Sequence, residues 1–264
     1  MELNKLNSPF ELLLCSTDLS LIQESVAAGV DAVMVEWENV EGDRSPILTS
    51  EMVKTLEQVR SVTDAWVICR LNPYYERTLA ELELAIANKV DEIWLPKVQS
   101  VEEVVKVLNW SEGRVKVGIV VETVEAMNLS PKLAELPLHR VHIGLNDLAE
   151  SLDNPHPFCT LIDGTVEKIL QNFTISSGFG GLTLPEKGHP IPCHLLMGEL
   201  IRLGCRFSLL RRSFIADIQN RNLSEVILRI KNFLSQVSER SSQACEIDRL
   251  EFVELVQGLI RGDK

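Results

Sequence analysis

The stretch EIWLPKVQSVEEVVKVL, residues 92–108, holds one complete structural unit. Its first seven residues are an apolar run of strand length, and the segment from Ser100 onward carries the pattern of a helix. Ser100 followed three residues on by Glu103 is a capping-box signature, in which two side chains satisfy the first free N–H groups of a helix. A strand that leads through a few residues into a helix is the repeating element of a parallel sheet.

Seven further runs flank it. LLLCS at Leu12, AVMVEWE at Ala32 and WVICRLN at Trp66 precede, and KVGIVVET at Lys116, VHIGLND at Val141, FGGLTLP at Phe179 and CRFSLL at Cys205 follow. Helical patterns such as RTLAELELAIANKV lie between them. This alternation predicts an α/β fold, and eight units favour a closed (β/α)8 TIM barrel over an open sheet. The barrel is expected over residues 1–236, closed by the amphipathic NLSEVILRIKNFLSQV. Residues 237–264 form an extension in which an extra C-terminal helix, EIDRLEFVELVQGLI, exceeds what a barrel requires. That helix is expected to pack on a neighbouring subunit or on its own barrel floor. No internal repeat in residue identity is present.

With 264 residues, 45% hydrophobic and 24% charged, the chain has the composition of a globular protein with a sizeable core. It contains no apolar run of about 18 residues, so no membrane span is expected. The segment MELNKLNSPF lacks a basic region leading into an apolar stretch, and a cytoplasmic location is the resulting expectation. Six cysteines are scattered without C-x-x-C pairs, as suits reduced thiols that fill the core. A net charge of −12 argues against nucleic acid as the main partner, while local basic patches remain suited to an acidic metabolite.

Barrels of this kind place their chemistry at the C-terminal ends of the strands. Here those ends are polar: Glu36, Glu38 and Asn39 on the second, Arg70 and Asn72 on the third, Lys97 on the fourth, Glu122 on the fifth and Asn146 with Asp147 on the sixth. The loop after the seventh carries Glu186 and His189, and the eighth ends at Arg211 and Arg212. Any one of these is also what results when a strand simply meets water, so the set carries the argument. Glu122 follows the unbroken apolar VGIVV and Asp147 follows VHIGL, which puts both at the rim of a dry interior. Burying a lone carboxylate costs several kcal/mol, and two that sit together repel unless a proton or a cation lies between them. Mg²⁺ commonly takes one or two protein carboxylates and leaves its other positions to water and substrate. Glu122 and Asp147 are therefore the expected ligands of a divalent metal, Mg²⁺ or Mn²⁺.

With these residues in place, the chain resembles the HpcH/HpaI aldolase and citrate lyase β-subunit family, within the phosphoenolpyruvate/pyruvate barrel superfamily. AGVDAVMVEWEN (28–39) is similar to the family's second-strand segment, ICRLN (68–72) to its strand-three arginine motif and IWLPKVQSVEEV (93–104) to its proline-lysine motif. VVET (120–123) resembles its metal-binding glutamate strand, and IGLNDLAESL (143–152) the segment with its metal-binding aspartate. The resemblance implies Mg²⁺ held by Glu122 and Asp147, and Arg70 gripping an oxygen of a 2-oxo acid or of the corresponding part of an acyl-CoA. The metal would act as a Lewis acid toward the enolate formed when a carbon–carbon bond breaks or forms. Glu36, Lys97, Asn146 and Arg211 complete the expected substrate-binding set, Arg211 with Arg212 facing a second acidic group such as a phosphate or distal carboxylate. A homo-oligomer is expected.

Two departures stand against the family pattern. Asn39 follows Glu38 where the aldolase branch carries a histidine and the lyase branch an aspartate. The base is then either Glu38, or Glu36, holding a water on the metal, or His189 in EKGHPIP. Beyond Leu152 the likeness fades, and neither GLTLPEKGHPIPCHLLMGEL nor LLRRSF is part of the family pattern. Cys193 and His194 read as the start of the next helix.

The leading expectation is a metal-dependent carbon–carbon lyase or aldolase acting on a small 2-oxo or hydroxy acid or an acyl-CoA. A second is a barrel that keeps the pocket but has lost turnover and serves as a metabolite-binding or scaffold subunit, the substitution at Asn39 being its motive. A third, phosphoryl transfer on pyruvate-like substrates, follows from the likeness of IGLNDL to the enzymes that use phosphoenolpyruvate. It ranks last, because no phosphohistidine or nucleotide domain is recognisable.

Overall fold

The computed structural model describes residues 9–39 and 46–262. Eight parallel strands pair in chain order and close on themselves: β1 (Glu11–Cys15), β2 (Ala32–Glu36), β3 (Trp66–Arg70), β4 (Glu92–Leu95), β5 (Lys116–Val121), β6 (Arg140–Ile143), β7 (Ser176–Phe179) and β8 (Phe207–Leu209). Each of the first five is followed by one helix: α1 (Leu19–Ala27), α2 (Ser50–Val62), α3 (Thr78–Ala87), α4 (Val101–Ser111) and α5 (Val124–Leu133). After β6 come the short α6 (Leu145–Ser151), α7 (Cys159–Ile162) and α8 (Thr165–Leu170), and after β7 comes α9 (Cys193–Arg202). The chain ends with α10 (Phe214–Asp217), α11 (Leu223–Ser238) and α12 (Ser242–Arg261). The expected TIM barrel with an additional C-terminal helix is the observed fold.

Local chemistry sets the helix starts. Asp18, Thr49, Ser100, Thr123, Asn222 and Ser241 each accept a backbone N–H in the first turn of the helix that follows. The capping box at Ser100 and Glu103 is formed in both directions. Each such cap contributes about 1 kcal/mol.

The core has two layers. Side chains facing the barrel axis, Leu13, Ala32, Met34, Ile68, Trp94, Val120 and Phe207, form one cluster, and the outward faces of the strands pack against the helices in another. Below the axial cluster the barrel is closed by a polar node. The Glu92 carboxylate, with no exposed surface, accepts Nε1–H of Trp66 at 3.0 Å and Nε1–H of Trp94 at 2.9 Å. Arg140 lies 3.3 Å from it and also reaches Glu11 at 2.7 Å. A carboxylate buried this completely persists only when donors surround it, and here they fix the ring positions of two tryptophans.

Two elements differ from the sequence reading. The seventh strand precedes FGGLTLP and shares with it only Phe179. Gly178 lies within that strand: a Cβ there would lie 2.0 Å from the carbonyl oxygen of Phe207, so β8 approaches as closely as only glycine allows. The sixth strand ends at Ile143, and Asn146 and Asp147 lie in the first turn of α6 rather than on the strand tip. The last helix packs on α7 and α9 of its own chain, burying Phe252 and Val256, while Arg249 reaches Glu199 at 2.6 Å. Among the described residues no helix is long and apolar enough to cross a membrane.

Candidate active site

The second and third strands set the first half of the site. Glu36 and Arg70 are register partners on adjacent parallel strands, so their side chains project side by side. Arg70 donates from Nε to Glu36 Oε1 at 2.6 Å, its Nη2 lies 2.5 Å from Glu36 Oε2, and its Nε is 3.1 Å from Glu38 Oε2. This is a two-pronged carboxylate clamp in a largely dry setting, where charge-assisted bonds are strong. The expected substrate grip is thus engaged along one edge by the chain's own acids, and Nη1 is the donor that these pairs leave over.

The second half is built around Lys97. Its backbone is left-handed, with φ of 48°, a conformation that costs a residue with a Cβ on the order of 1 kcal/mol. In that conformation its N–H donates to Glu122 Oε1 at 2.9 Å while its ammonium lies 3.0 Å from Asp147 Oδ1. Glu122 is 1% exposed, directly beyond β5. Burial pushes its carboxyl up to about 8, the charges of Glu38 and Asp147 adding to the rise and those of Arg70 and Lys97 opposing it. Glu38 is raised as well, by burial first and with Glu36 and Asp147 adding to it. Glu36, Glu38, Glu122 and Asp147 therefore form one electrostatic group with Arg70 and Lys97, four acids against two bases.

Such a group suits a dication. Among the described residues no three or more histidine, cysteine or acidic side chains are arranged to hold a metal ion. The residues that could hold one are the two carboxylates of Glu122 and Asp147, a number that Mg²⁺ accepts when water and substrate supply its other positions. The excess of acids, relieved at Glu122 by holding a proton, is the deficit that a divalent cation offsets.

The remaining expected residues are placed less centrally. Asn146 is exposed on α6, and His189 is exposed in the loop between β7 and α9, with no hydrogen bond or ion pair to the four acids among the described residues. Glu186 turns to Arg221 and Arg229, at 3.3 and 3.1 Å. Arg211 stands 3.8 Å from Asp217, and Arg212 is exposed with its charge felt by Cys15 at the end of β1. The Cys15 thiol, exposed at the strand end but crowded by neighbouring protein, is pushed up to about 11 by desolvation and by the charge of Glu36, which disfavours its thiolate. Asn39 is half-buried, its N–H donating to Asn72 Oδ1 at 3.3 Å. Asn72 is in turn fixed by the buried Glu81, which it meets at 2.8 Å and which Tyr75 meets at 2.6 Å.

Two contributors lie outside the expected set. Gly144 abuts Glu122: a Cβ at this position would stand 2.4 Å from Glu122 Oε2, so the glycine makes room for the carboxylate. His142 points into the barrel beneath the mouth, stacked on Trp94 at 5.1 Å and near Phe207 at 6.1 Å, with Nδ1 buried and unpartnered. Burial, then the charge of Arg70, lowers it to about 3, so it stays neutral. Strand alternation in VHIGL carried the signal for His142, because it shares a face with the residues two positions away.

Among solved structures the chain is similar to an HpcH/HpaI aldolase from Desulfitobacterium hafniense DCB-2, with a TM-score of 0.61 over 89% of this chain and 95% of that one, at 13% identity. The chain has the fold of that aldolase. RipC from Yersinia pestis is similar too, with a TM-score of 0.57 over 89% of this chain and 97% of its own, at 11% identity. No family model and no curated protein matches the sequence. The HpcH/HpaI resemblance read from short motifs thus meets its counterpart in the architecture, which spans nearly the whole of both solved chains.

Proposed function

We propose that this protein is a divalent-metal-dependent carbon–carbon lyase or aldolase whose substrate is a small 2-oxo or hydroxy acid or an acyl-CoA. The observation that carries the reading is the charge balance of the mouth: four interacting acids against two bases, with the buried Glu122 pushed up to about 8. The name of the similar aldolase gives the reaction class. Glu122 and Asp147 would hold Mg²⁺ or Mn²⁺, which when bound supplies a Lewis acid for negative charge developing on a carbonyl oxygen.

The chain's own residues do the rest. Arg70, oriented by Glu36 and Glu38, presents Nη1 to a substrate oxygen. Glu38, buried and with its carboxyl raised by that burial, would take or return a proton beside that oxygen. Lys97, released from Asp147, offers its ammonium to a substrate carboxylate, with Asn146 and Arg211 at the rim for its distal end. The axial cluster beneath keeps water from the reacting carbons.

Mn²⁺ titration calorimetry, followed by assay of 2-oxo acids, hydroxy acids and acyl-CoA esters with Mg²⁺ or Mn²⁺, tests this. Glu122→Gln and Asp147→Asn should each lose metal binding and keep the fold. Unchanged Mn²⁺ affinity in both variants removes the metal site. Metal binding without turnover of any member of the panel would favour the second reading, a metabolite-binding barrel, for which Asn39 in the position of the family's base is the specific observation.

A further inference from the structure

A cleft of about 850 Å³ lies at the end of the barrel opposite the carboxylate group, bounded by the starts of β1, β7 and β8, the ends of α8 and α9 and the first turn of α12. Arg206, the residue before β8, lines it. Its backbone is fixed on both sides, its N–H donating to Ser177 at 2.8 Å and its carbonyl accepting from Glu11 at 2.9 Å. Its Nη1 is buried and has no hydrogen-bond partner. Four other arginines of the fold, Arg70, Arg140, Arg202 and Arg249, end on carboxylates, whereas among the described residues no acid pairs with Arg206. A guanidinium on a cleft wall with no acid paired to it keeps its charge available to an anion in that cleft.

The acids that share the cleft are engaged or peripheral. Glu11 carries Arg140 at 2.7 Å, Glu167 carries Arg202 at 3.1 Å, and Glu246 is exposed on the rim. Ser176 and Ser242 contribute hydroxyl groups that make no hydrogen bond among the described residues. Ser242 is also the first residue of the twenty-residue α12, whose N-terminal end carries the positive pole of its dipole toward the same space.

We propose that this cleft is a second binding site, for the phosphate group of a small phosphorylated metabolite, with Arg206 as its charged contact. A guanidinium, two hydroxyls and a helix start supply donors from several directions, which suits a tetrahedral oxyanion better than a planar carboxylate. The volume exceeds what phosphate alone needs and matches the few-hundred to roughly 1,000 Å³ of small-molecule sites, leaving room for the rest of the metabolite. The site is separated from the mouth by the axial cluster and the Glu92 node, so its occupancy does not require the proposed metal.

Titration calorimetry of the full chain with inorganic phosphate, and separately with malonate, tests the assignment. Saturable phosphate binding is expected in the parent and equally in the mouth variant Glu122→Gln. Arg206→Gln and Ser242→Asp should each weaken it at least tenfold. Ser242→Asp guards against a folding defect in Arg206→Gln, since an acid in a first helical turn favours the helix while repelling an anion, and the Ser241 cap is untouched. Absence of saturable binding, or full affinity in Ser242→Asp and in folded Arg206→Gln, overturns the site. Tighter binding of malonate than of phosphate overturns the choice of ligand, and loss of binding in Glu122→Gln would move it to the mouth.

Discussion

The ammonium of Lys97 lies 3.0 Å from Oδ1 of Asp147, which gives one of the two candidate metal ligands a cation from the chain itself. A metal ion that takes Asp147 must displace this ammonium. Lys97→Met keeps the Cβ, and with it the left-handed backbone cost, but removes the competitor. Mn²⁺ affinity measured by calorimetry should therefore rise several-fold in the variant. A fall in affinity would show that the lysine supports the metal rather than competes with it.

Gly144 is expected to be intolerant of a single methyl group. Gly144→Ala places a carbon 2.4 Å from Glu122 Oε2, so the carboxylate or strand β6 has to move. The expected cost is about 1–3 kcal/mol of stability, by analogy with overpacked cores, together with at least tenfold weaker Mn²⁺ binding. Thermal denaturation and calorimetry on the same preparation check both, and a variant indistinguishable from the parent would refute the close packing.

Much of this is legible in the sequence. The alternation of short apolar runs with helical segments gave the barrel, because both periodicities are local, and strand ends named the six interacting residues of the mouth. What escaped depends on distance between elements. Nothing near Gly144 in the chain announces that Glu122 lies against it, and nothing near Gly178 announces the close approach of the β8 backbone. The unpaired state of Arg206 is likewise a fact about what fails to reach it. His142 could have been read from alternation, but its burial was not apparent until Trp94 and Phe207 stood beside it.

Arg70→Lys should lower kcat/KM on a verified substrate by tenfold or more. The ammonium keeps the charge yet cannot hold Glu36 and Glu38 on one edge and a substrate oxygen on another. Steady-state kinetics decide it, and a loss of less than a few-fold would reduce Arg70 to a structural partner of the second-strand acids.

The base is tested by a pair of variants. Glu38→Gln should reduce turnover by roughly 10²–10⁴-fold, the range for loss of a general base, while the exposed His189→Ala should leave it nearly unchanged. The opposite order would assign the proton transfer to His189, and no effect from either would place the base elsewhere.

His142 makes stability depend on pH. Buried neutral, it is held to about 3, whereas in the unfolded chain it binds a proton near 6.5. The unfolded state therefore takes up more protons between these values, and stability falls as pH drops through 6.5 toward 3. At pH 5 this contribution amounts to roughly 2 kcal/mol. His142→Phe should flatten the difference in denaturation midpoint between pH 7 and pH 5, with no loss at pH 7, since the ring sits among Trp94 and Phe207 and its Nδ1 has no partner to lose. An unchanged slope in the variant would assign the acid sensitivity to other groups.

The axial cluster and, beneath it, the carboxylate node at Glu92 with its two indoles and the guanidinium of Arg140 fill the barrel, so it is no conduit. Whatever enters at the mouth must leave by the same opening. For a reaction that splits one molecule into two, the fragment nearer the opening then has to depart before the deeper one, so the order of product release is written into the stopper at the far end.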